Sequence, residues 1–156
     1  MRLNDVLKRD NVHVFLHQTE KEPLLAEMVD LLLADRSEAD RQETLRQVML
    51  REQIGSTGIG DGVAVPHANP GFTTDLMACL GIAENPVSFD AIDGQPVRIL
   101  VLVLGPRGLS GRHLRFLARV ARLLKKEQRR NALLACTDAD QAFRVLEEFE
   151  EGQIDA

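Results

Sequence analysis

Residues 51–69, REQIGSTGIGDGVAVPHAN, are the stretch from which we interpret the rest of the chain. Four glycines fall inside it, at Gly55, Gly58, Gly60 and Gly62. Glycine tolerates positive φ and a close approach of the backbone, so the stretch predicts a shaped loop rather than a helix. The apolar residues 63–65 then predict a short strand whose end carries His67. Because folds often present reactive side chains beside such loops, His67 is the first candidate for a functional residue.

Two amphipathic helices are predicted before this loop. Residues 19–22, TEKE, have the form of a capping box, and leucines at helical spacing continue from there to about residue 34. A second helix is predicted to begin at SEAD, residues 37–40, and to end near Arg51, where the chain enters the loop. A cation is favourable at a helix C-terminus, so Arg51 is either a surface charge or a site residue.

Three further strands are predicted. Residues 12–16 alternate enough to form an early strand, and the apolar run LMACLGIA at 76–83 predicts a strand covered on both faces. The sequence ENP at 84–86 is predicted to end it. Residues 97–104, VRILVLVL, are the most strand-like segment and are predicted to lie at the centre of the sheet.

Helices are predicted again after the central strand. Ser110 is predicted to open a helix over about 112–125, with His113 in its first turn. The predicted apolar face of this helix consists of Leu114, Leu117, Val120, Ala121 and Leu124. A short helix follows over 129–135, and TDAD at 137–140 has the form of a capping box that opens the last helix. A basic cluster is predicted to be a solvated face and consists of Lys125, Lys126, Arg129 and Arg130.

Length and composition are those of an ordinary globular protein. The chain has 156 residues, of which 44% are hydrophobic and 28% charged. This predicts one domain over residues 1–156, with an ordered core of about 3–150. Helix pairs that flank a group of strands predict an α/β fold with a mixed sheet.

Charge and hydropathy argue against several kinds of partner. The net charge of -5 disfavours a general nucleic-acid binder, and no apolar run is long enough to cross a bilayer. The N-terminus has too little apolar length for a signal peptide. Cys79 and Cys136 both lie in apolar surroundings, so they are predicted to be buried, reduced thiols, which fits a cytoplasmic protein.

Three familiar glycine-loop motifs do not fit these residues. A dinucleotide-binding loop needs a strand before the glycines and a helix after them, and here the predicted order is reversed. A phosphate-binding loop needs a lysine directly after its last glycine, and none of these glycines has one. A nucleophile elbow needs a serine between two spaced glycines, but Ser56 directly follows Gly55.

The remaining interpretation is a histidine presented by a rigid loop. Neutral imidazole is a nucleophile at cytoplasmic pH, and the loop around Ser56, Gly58 and Gly60 offers backbone N–H groups that can bind an anion. His113 lies at a predicted helix N-terminus, which also favours anions. Together with an arginine, these features suit a phosphoryl group. The alternative is a structural histidine that caps a backbone carbonyl.

Neither a metal nor a cofactor is predicted. His13 and His17 are four positions apart, a spacing that suits a metal site on a helix. Their segment is β-branched and predicts a strand, where positions four apart are much further separated.

The sequence also resembles a known family. Arg51-Glu52 and the uninterrupted run GSTGIGDGVAVPH at 55–67 are similar to the pattern of enzyme IIA domains of the fructose-mannitol class, from the bacterial phosphoenolpyruvate phosphotransferase system. FDAIDGQPV at 89–97 and HLRFLA at 113–118 match that family as well. The likeness spans essentially the whole chain and is strongest to the nitrogen-regulatory branch. It implies a single-domain helix/sheet/helix sandwich with a mixed central sheet.

The resemblance implies roles for particular residues. His67 corresponds to the phosphorylated histidine, His113 to a second active-site histidine near the phosphoryl group, and Arg51 to an arginine that helps hold it. Thr57 corresponds to a loop hydroxyl that orients the imidazole. Ala68-Asn69 departs from the pattern, because many regulatory members carry glycine and lysine there, and this leaves the specificity for donor and acceptor open.

The implied function is a phosphocarrier whose donor is HPr or an HPr-like paralogue. Three functions remain open: a regulator of target proteins, a transport enzyme IIA that passes the group to a cysteine of an enzyme IIB, and a binding module that is never phosphorylated. The absence of a fused enzyme IIB or membrane domain favours the regulator. We expect a monomer or weak dimer that does not insert into membranes.

Overall fold

The computed structural model describes residues 1–108 and 110–152. Its strands are β1 Leu7–Leu16, β2 Gly58–Gly60, β3 Val63–Ala64, β4 His67–Ala68, β5 Met77–Val87 and β6 Val97–Leu104. Its α-helices are α1 Lys21–Leu32, α2 Glu38–Ile54, α3 Gly111–Leu124, α4 Glu127–Leu134 and α5 Ala139–Glu151. A short 3-10 helix, Leu3–Asp5, precedes β1. Each helix and strand predicted from the sequence has a counterpart here.

The strands of the described residues form one mixed sheet. Their order is β1-β5-β6-β3-β2, and β4 pairs with β6 as well. β6 is antiparallel to β5 and parallel to β3 and β4, whereas β1 is parallel to β5. The prediction that residues 97–104 form the central strand is confirmed, because β6 has partners along both edges and is buried except at Arg98.

β3 and β4 act as one interrupted strand along the same edge of β6. Val63 lies opposite Ile99, and His67 lies opposite Val103. Pro66 has no N–H to offer the ladder, but its carbonyl accepts a hydrogen bond from the backbone N of Val103 at 3.0 Å. The expected strand at 63–65 is therefore shorter than predicted, and His67 sits in the ladder rather than at a free strand end.

The core divides into two halves, one on each face of the sheet. Along β6, alternate side chains point to opposite faces, as expected for a strand. Ile99, Val101 and Val103 pack with α3, α4 and α5, whereas Leu100, Leu102 and Leu104 pack with α1 and α2. The predicted helix/sheet/helix sandwich is confirmed. None of the helices in the described part of the chain combines the length and the apolar composition that a bilayer crossing requires.

β5 continues through the predicted break. The sequence ENP at 84–86 was expected to end the strand at Ala83, but β5 extends to Val87, which pairs with Val97. The register shifts between Ile82 and Val87, as in a β-bulge. β1 ends opposite Ala83, so residues 84–86 lie on an exposed edge where a proline is tolerated.

The buried face of α3 differs from the predicted one. Leu114 was predicted to face the core, but it is 52% exposed. The side chains that α3 buries are His113, Phe116, Val120, Leu123 and Leu124. Two apolar stripes offset by one residue run along this helix, and the sequence pattern alone does not choose between them. In the structure, the buried stripe is the one that begins with His113 in the first turn.

Two helix starts also differ from the predictions. The residue that caps α5 is Asp138 rather than Thr137, and its carboxylate accepts a hydrogen bond from the backbone N of Gln141 at 2.8 Å. The residue before α1 is Glu20 rather than Thr19, and it forms no side-chain cap. In contrast, Ser37 and Ser110 cap α2 and α3 as predicted.

The basic cluster is not wholly solvated. Arg129 is only 4% exposed, and its Nη1 donates a hydrogen bond to the carbonyl oxygen of Leu123 at 3.0 Å. Its guanidinium also lies 5.6 Å from the ring centroid of Phe149. The prediction for the two cysteines is confirmed, because both are buried and free. Burial raises the pKa of the Cys79 thiol to about 12, so this side chain is protonated and unreactive.

Candidate active site

The hydrogen bonding of His67 identifies which of its nitrogens can react. The ring is half-buried, and its Nδ1 lies 2.9 Å from the carbonyl oxygen of Val65. A carbonyl oxygen only accepts hydrogen bonds, so Nδ1 carries the proton of the neutral ring. Nε2 is then the nitrogen with a free lone pair. This contact therefore leaves the lone pair of Nε2 available to react.

A cleft of about 380 Å³ gives a partner access to His67. One wall is β4 with the following Asn69, and the other is the last two turns of α2. The α2 side chains that line it are Gln47, Leu50, Arg51 and Ile54. Leu50 is 45% exposed and Ile54 83% exposed, so the rim of the cleft carries two exposed apolar side chains beside the polar Gln47 and Arg51.

The fold brings His113 next to His67. Their ring centroids are 5.9 Å apart, and the rings meet edge to face at 79°. This proximity follows from the topology, because His67 pairs with the end of β6 and α3 begins shortly after that end. His113 is fully buried in the first turn of α3, where its backbone N donates to Ser110 Oγ at 3.1 Å.

The surroundings of His113 favour its neutral form. Burial lowers the pKa of His113 below its usual value, and a positive charge on His67 would lower it further. Its Nδ1 lies 3.0 Å from Nδ2 of Asn69. Its Nε2 is buried and has no hydrogen-bond partner among the described residues. The site therefore contains a buried imidazole nitrogen that lacks a partner.

Arg51 borders the same cleft from the last turn of α2. Its Nη1 donates a hydrogen bond to the carbonyl oxygen of Gly55 at 2.7 Å, which ties the side chain to the first glycine of the loop. A guanidinium has five N–H donors, so this bond leaves Arg51 able to bind an anion as well. The sequence left two interpretations of Arg51 open: a surface charge that is favourable at a helix C-terminus, or a site residue. Its position is compatible with both.

The polar groups of Ser56 and Thr57 form hydrogen bonds within the protein. The hydroxyl of Thr57 donates to Glu52 Oε2, and its backbone N donates to Glu52 Oε1 at 3.1 Å. Ser56 Oγ donates to the carbonyl oxygen of Phe89 at 2.7 Å and accepts from the backbone N of Gly58 at 3.0 Å. These groups therefore hold the loop's shape, and direct binding of a phosphoryl group by Ser56, Thr57 or Gly58 stays a prediction.

Two glycines of the loop are required for its shape. A Cβ at Gly58 would lie 2.7 Å from the Cβ and 2.9 Å from the Cα of Ala91, so no side chain fits between the loop and residues 89–93. Gly60 adopts φ +99, which L-residues rarely adopt. The prediction of a glycine-shaped loop is confirmed in part, because Gly58–Gly60 form the short strand β2, which pairs with β3. The anion-binding role of Gly60 remains a prediction.

Glu52 is a site residue to which the sequence analysis gave no role. It is only 6% exposed, and Lys21 Nζ lies 3.0 Å from its Oε1. Together with the two hydrogen bonds from Thr57, this ion pair joins α1, α2 and the glycine loop. An available signal was its position, because an acid near a helix C-terminus opposes the helix dipole and so needs a specific partner.

The two N-terminal histidines do not form a metal site. His17 is exposed, and its Nδ1 pairs with Glu84 Oε2 at 2.6 Å. His13 is half-buried on β1, where burial lowers its pKa. Within residues 1–108 and 110–152, no group of three or more His, Cys, Asp or Glu side chains is arranged to hold a metal ion.

Comparison with known proteins places this site in a family. Residues 5–149 match the family described as "Phosphoenolpyruvate-dependent sugar phosphotransferase system, EIIA 2". A nitrogen regulatory protein of Pseudomonas aeruginosa is 30% identical over 154 residues, which cover 98% of this chain and 99% of that protein. The fructose-specific EIIABC component of Bacillus subtilis is 28% identical over 150 residues, which cover 96% of this chain but only 24% of that longer protein.

A solved structure shows the same fold. The nitrogen regulatory protein IIA-Ntr from Neisseria meningitidis superposes with a TM-score of 0.83 at 26% identity, over 92% of this chain and 98% of that one. The resemblance inferred from the glycine loop and its histidine is therefore confirmed.

Glu52→Ala should destabilise the fold. The substitution removes both hydrogen-bond acceptors of Thr57 and leaves Lys21 without its buried partner, at an expected cost of about 3 kcal/mol in the free energy of unfolding. Urea denaturation gives this value directly. Glu43→Ala is the matched control on the same helix, because Glu43 is an exposed residue paired with Arg46. Equal stability of the two variants would show that Glu52 does not hold the loop.

The half-buried His13 and the buried His113 should make stability depend on pH. Burial lowers the folded-state pKa of His13 and His113, so below about pH 6.5 the unfolded chain binds protons that the folded chain does not. Stability should therefore be fully present above about pH 6.5 and fall as the pH drops towards the folded-state pKa. Denaturant titrations at several pH values should show a shallower fall for His113→Gln than for wild type. The exposed His17→Gln serves as the control, and an equal change in both variants would contradict this account.

Proposed function

The chain belongs to the EIIA 2 family of the phosphoenolpyruvate-dependent sugar phosphotransferase system, and on this premise we propose that it is a phosphohistidine carrier with a regulatory role. It accepts a phosphoryl group on Nε2 of His67 from HPr or an HPr-like donor in the cytoplasm. One observation carries the proposal: Nδ1 of His67 is bound to the carbonyl oxygen of Val65, so the free lone pair lies on Nε2 of a side chain that borders an open cleft.

The transfer exchanges one phosphorus–nitrogen bond for another. Nε2 of His67 attacks the phosphorus of the donor's phosphohistidine in line, and the donor's imidazole leaves with the electron pair of the broken bond. Positive charge then develops on the ring of His67. The Nδ1–H group donates to the carbonyl oxygen of Val65, so this hydrogen bond strengthens as the charge develops. The bond therefore favours the phosphorylated state over the free one.

His113 and Arg51 supply the donors that a phosphoryl group needs. The transferred group carries its negative charge on three equatorial oxygens, and fixed donors that meet this charge lower the barrier. Arg51 borders the cleft with donors to spare, and the buried Nε2 of His113 lacks a partner among the described residues. A phosphoryl oxygen would satisfy that nitrogen. Both residues therefore act as binding groups, and His67 is the nucleophile.

The exposed apolar rim supports a regulatory role. Leu50 and Ile54 line the same cleft as His67. While His67 is unphosphorylated, they offer an apolar surface to which a partner protein can dock. A phosphoryl group on His67 adds about two negative charges beside this rim at neutral pH. An apolar or acidic partner surface then loses affinity. The unmodified protein is therefore the form that binds its regulatory targets.

A sugar-transport role is the second candidate. The match to one part of a fructose-specific EIIABC component favours it, because a transport enzyme IIA passes its phosphoryl group to a cysteine of an enzyme IIB. Neither cysteine of this chain competes as an acceptor, since both are buried.

Phosphorylation should occur on His67 alone. Incubation with phosphoenolpyruvate, enzyme I and HPr should give an acid-labile adduct, which mass spectrometry under alkaline conditions can locate. His67→Ala should abolish it, whereas the exposed control His17→Ala should retain it. His113→Ala should still accept the group but pass it on about a hundredfold more slowly, because one charge-stabilising donor is lost. An adduct that persists in His67→Ala would rule out the assigned nucleophile.

Partner capture should depend on the phosphorylation state. Partners captured by the unmodified protein should bind the phosphorylated form more weakly by about 1–3 kcal/mol, the usual range of such switches. Ile54→Ser, on the rim, should also weaken capture, whereas Leu31→Ser on α1 should not. Transfer to purified enzyme IIB proteins is measured in parallel. Fast transfer to one of them, with equal capture of partners by both forms, would establish the transport role instead.

A further inference from the structure

The side chain of Asn69 links the two histidines of the site. It follows β4 directly after His67 and Ala68, and its Nδ2 lies 3.0 Å from Nδ1 of His113. We propose that Asn69 is a positioning residue that holds Nδ1 of His113 as an acceptor and so keeps the proton of the neutral ring on Nε2. The consequence for phosphoryl transfer rests on the function proposed above, whereas the proton placement itself does not.

The neighbours of Asn69 fix the orientation of its amide. Nδ2 lies 2.9 Å from the carbonyl oxygen of Pro106 and 3.3 Å from that of Gly108. Carbonyl oxygens only accept hydrogen bonds, so the amide nitrogen must face them. With the amide reversed, its oxygen would face two carbonyl oxygens without an intervening proton. The donor end of Asn69 is therefore the end that also contacts His113.

The orientation of the amide then decides the tautomer of His113. Nδ2 of Asn69 has two hydrogens and no lone pair to offer, so Nδ1 of His113 must be the acceptor. The two hydrogens serve the two shortest contacts, to Pro106 and His113, and the longer contact to Gly108 shares one of them. A proton on Nδ1 would place two donors 3.0 Å apart with no acceptor between them. The single proton of the neutral ring therefore lies on Nε2. Burial, which lowers the pKa of His113, acts in the same direction by disfavouring a ring protonated on both nitrogens.

The two histidines of the site consequently have opposite tautomers. The carbonyl oxygen of Val65 keeps the proton of His67 on Nδ1 and frees the lone pair of Nε2, which suits a nucleophile. Asn69 does the reverse for His113, whose Nε2–H is a buried donor without an acceptor among the described residues. If His113 had the other tautomer, its Nε2 lone pair would repel a phosphoryl oxygen. Asn69 thus determines whether His113 can help hold the group.

A purely structural role is the competing explanation. Asn69 also ties the end of β4 to residues 106 and 108, and Gly105 packs so tightly beside it that an added Cβ would lie 2.8 Å from His113 Nδ1 and 3.2 Å from Asn69 Nδ2. Thr73 offers a control for this role. Its hydroxyl lies within hydrogen-bond distance of the carbonyl oxygen of Gly105, at 2.5 Å, so it anchors the same segment without a hydrogen bond to His113.

Nitrogen-15 NMR of the unphosphorylated protein tests the proton placement. At a pH where His113 is neutral, its Nδ1 should have a pyridine-like shift and its Nε2 a pyrrole-like shift. Asn69→Asp replaces the donor with an acceptor of the same shape, so Nδ1 should become pyrrole-like. Thr73→Val should leave the wild-type shifts. A pyrrole-like Nδ1 in the wild type, or no change in Asn69→Asp, would overturn the proposal, and the wild-type spectrum decides alone should that variant fail to fold.

Phosphoryl-transfer kinetics test the consequence. Asn69→Ala should slow onward transfer from His67 by about tenfold, the low end of what the loss of an outer-shell partner costs. Thr73→Val should stay within about twofold of wild type, since it leaves the hydrogen bond to His113 intact. An equal loss of transfer rate in both variants, or no loss in Asn69→Ala, would contradict the proposal. Asn69 would then only hold the loop in place. If the wild-type protein accepts no phosphoryl group, the proposed function fails, while the NMR result still decides the tautomer.

Discussion

The buried carboxylate of Glu52 is the constraint on which the site depends. A charge taken out of water is costly unless it is paired and fully hydrogen-bonded. Glu52 meets this condition with Lys21 at 3.0 Å and with the hydroxyl and backbone N of Thr57. Glu52 lies on α2 and its partners come from two other segments, so the condition is satisfied only when α1, the end of α2 and the glycine loop have assembled. The same ion pair places Lys21 over the ring of Phe89, which brings residues 89–97 against the loop.

The sheet supplies the second half of the site. The parallel pairing of β4 with the end of β6 sets His67 beside the point where the chain leaves the sheet for α3. Because carboxyl ends of parallel strands share one edge, residues distant in sequence converge there without a dedicated loop. His113 arrives from α3 and Arg51 from α2, on opposite layers of the sandwich. The cleft between the end of α2 and β4 is thus a consequence of the layer architecture, and His113 lies buried beside it.

The sequence allowed the fold class, the central strand and the glycine loop to be predicted, because each depends on a local pattern. Apart from Arg98, VRILVLVL is apolar and alternates β-branched residues with leucines, which favours a buried strand, and four glycines within residues 55–62 disfavour a helix. The face of α3 was mispredicted because its two apolar stripes differ by one position, and tertiary contacts choose between them. The continuation of β5 through Pro86 depends on where β1 ends, which no property of residues 84–86 reveals. The roles of Glu52 and Asn69 were not predicted, because the Lys21 that pairs with Glu52 and the His113 that contacts Asn69 are distant in sequence.

His67 and His113 have the same side chain, but one neighbouring group beside each ring favours opposite positions of the ring proton. A histidine next to a backbone carbonyl becomes a nucleophile at Nε2, and a histidine next to an amide N–H becomes a donor at Nε2. The first neighbour, Val65, contributes only its backbone, so any residue there that leaves the strand unchanged preserves the arrangement. The second, Asn69, contributes its side chain, so substitution acts on His113 directly. Under the proposed function, a substitution of Asn69 would therefore change how firmly the site holds a phosphoryl group and would leave the proposed nucleophile, His67, unaltered.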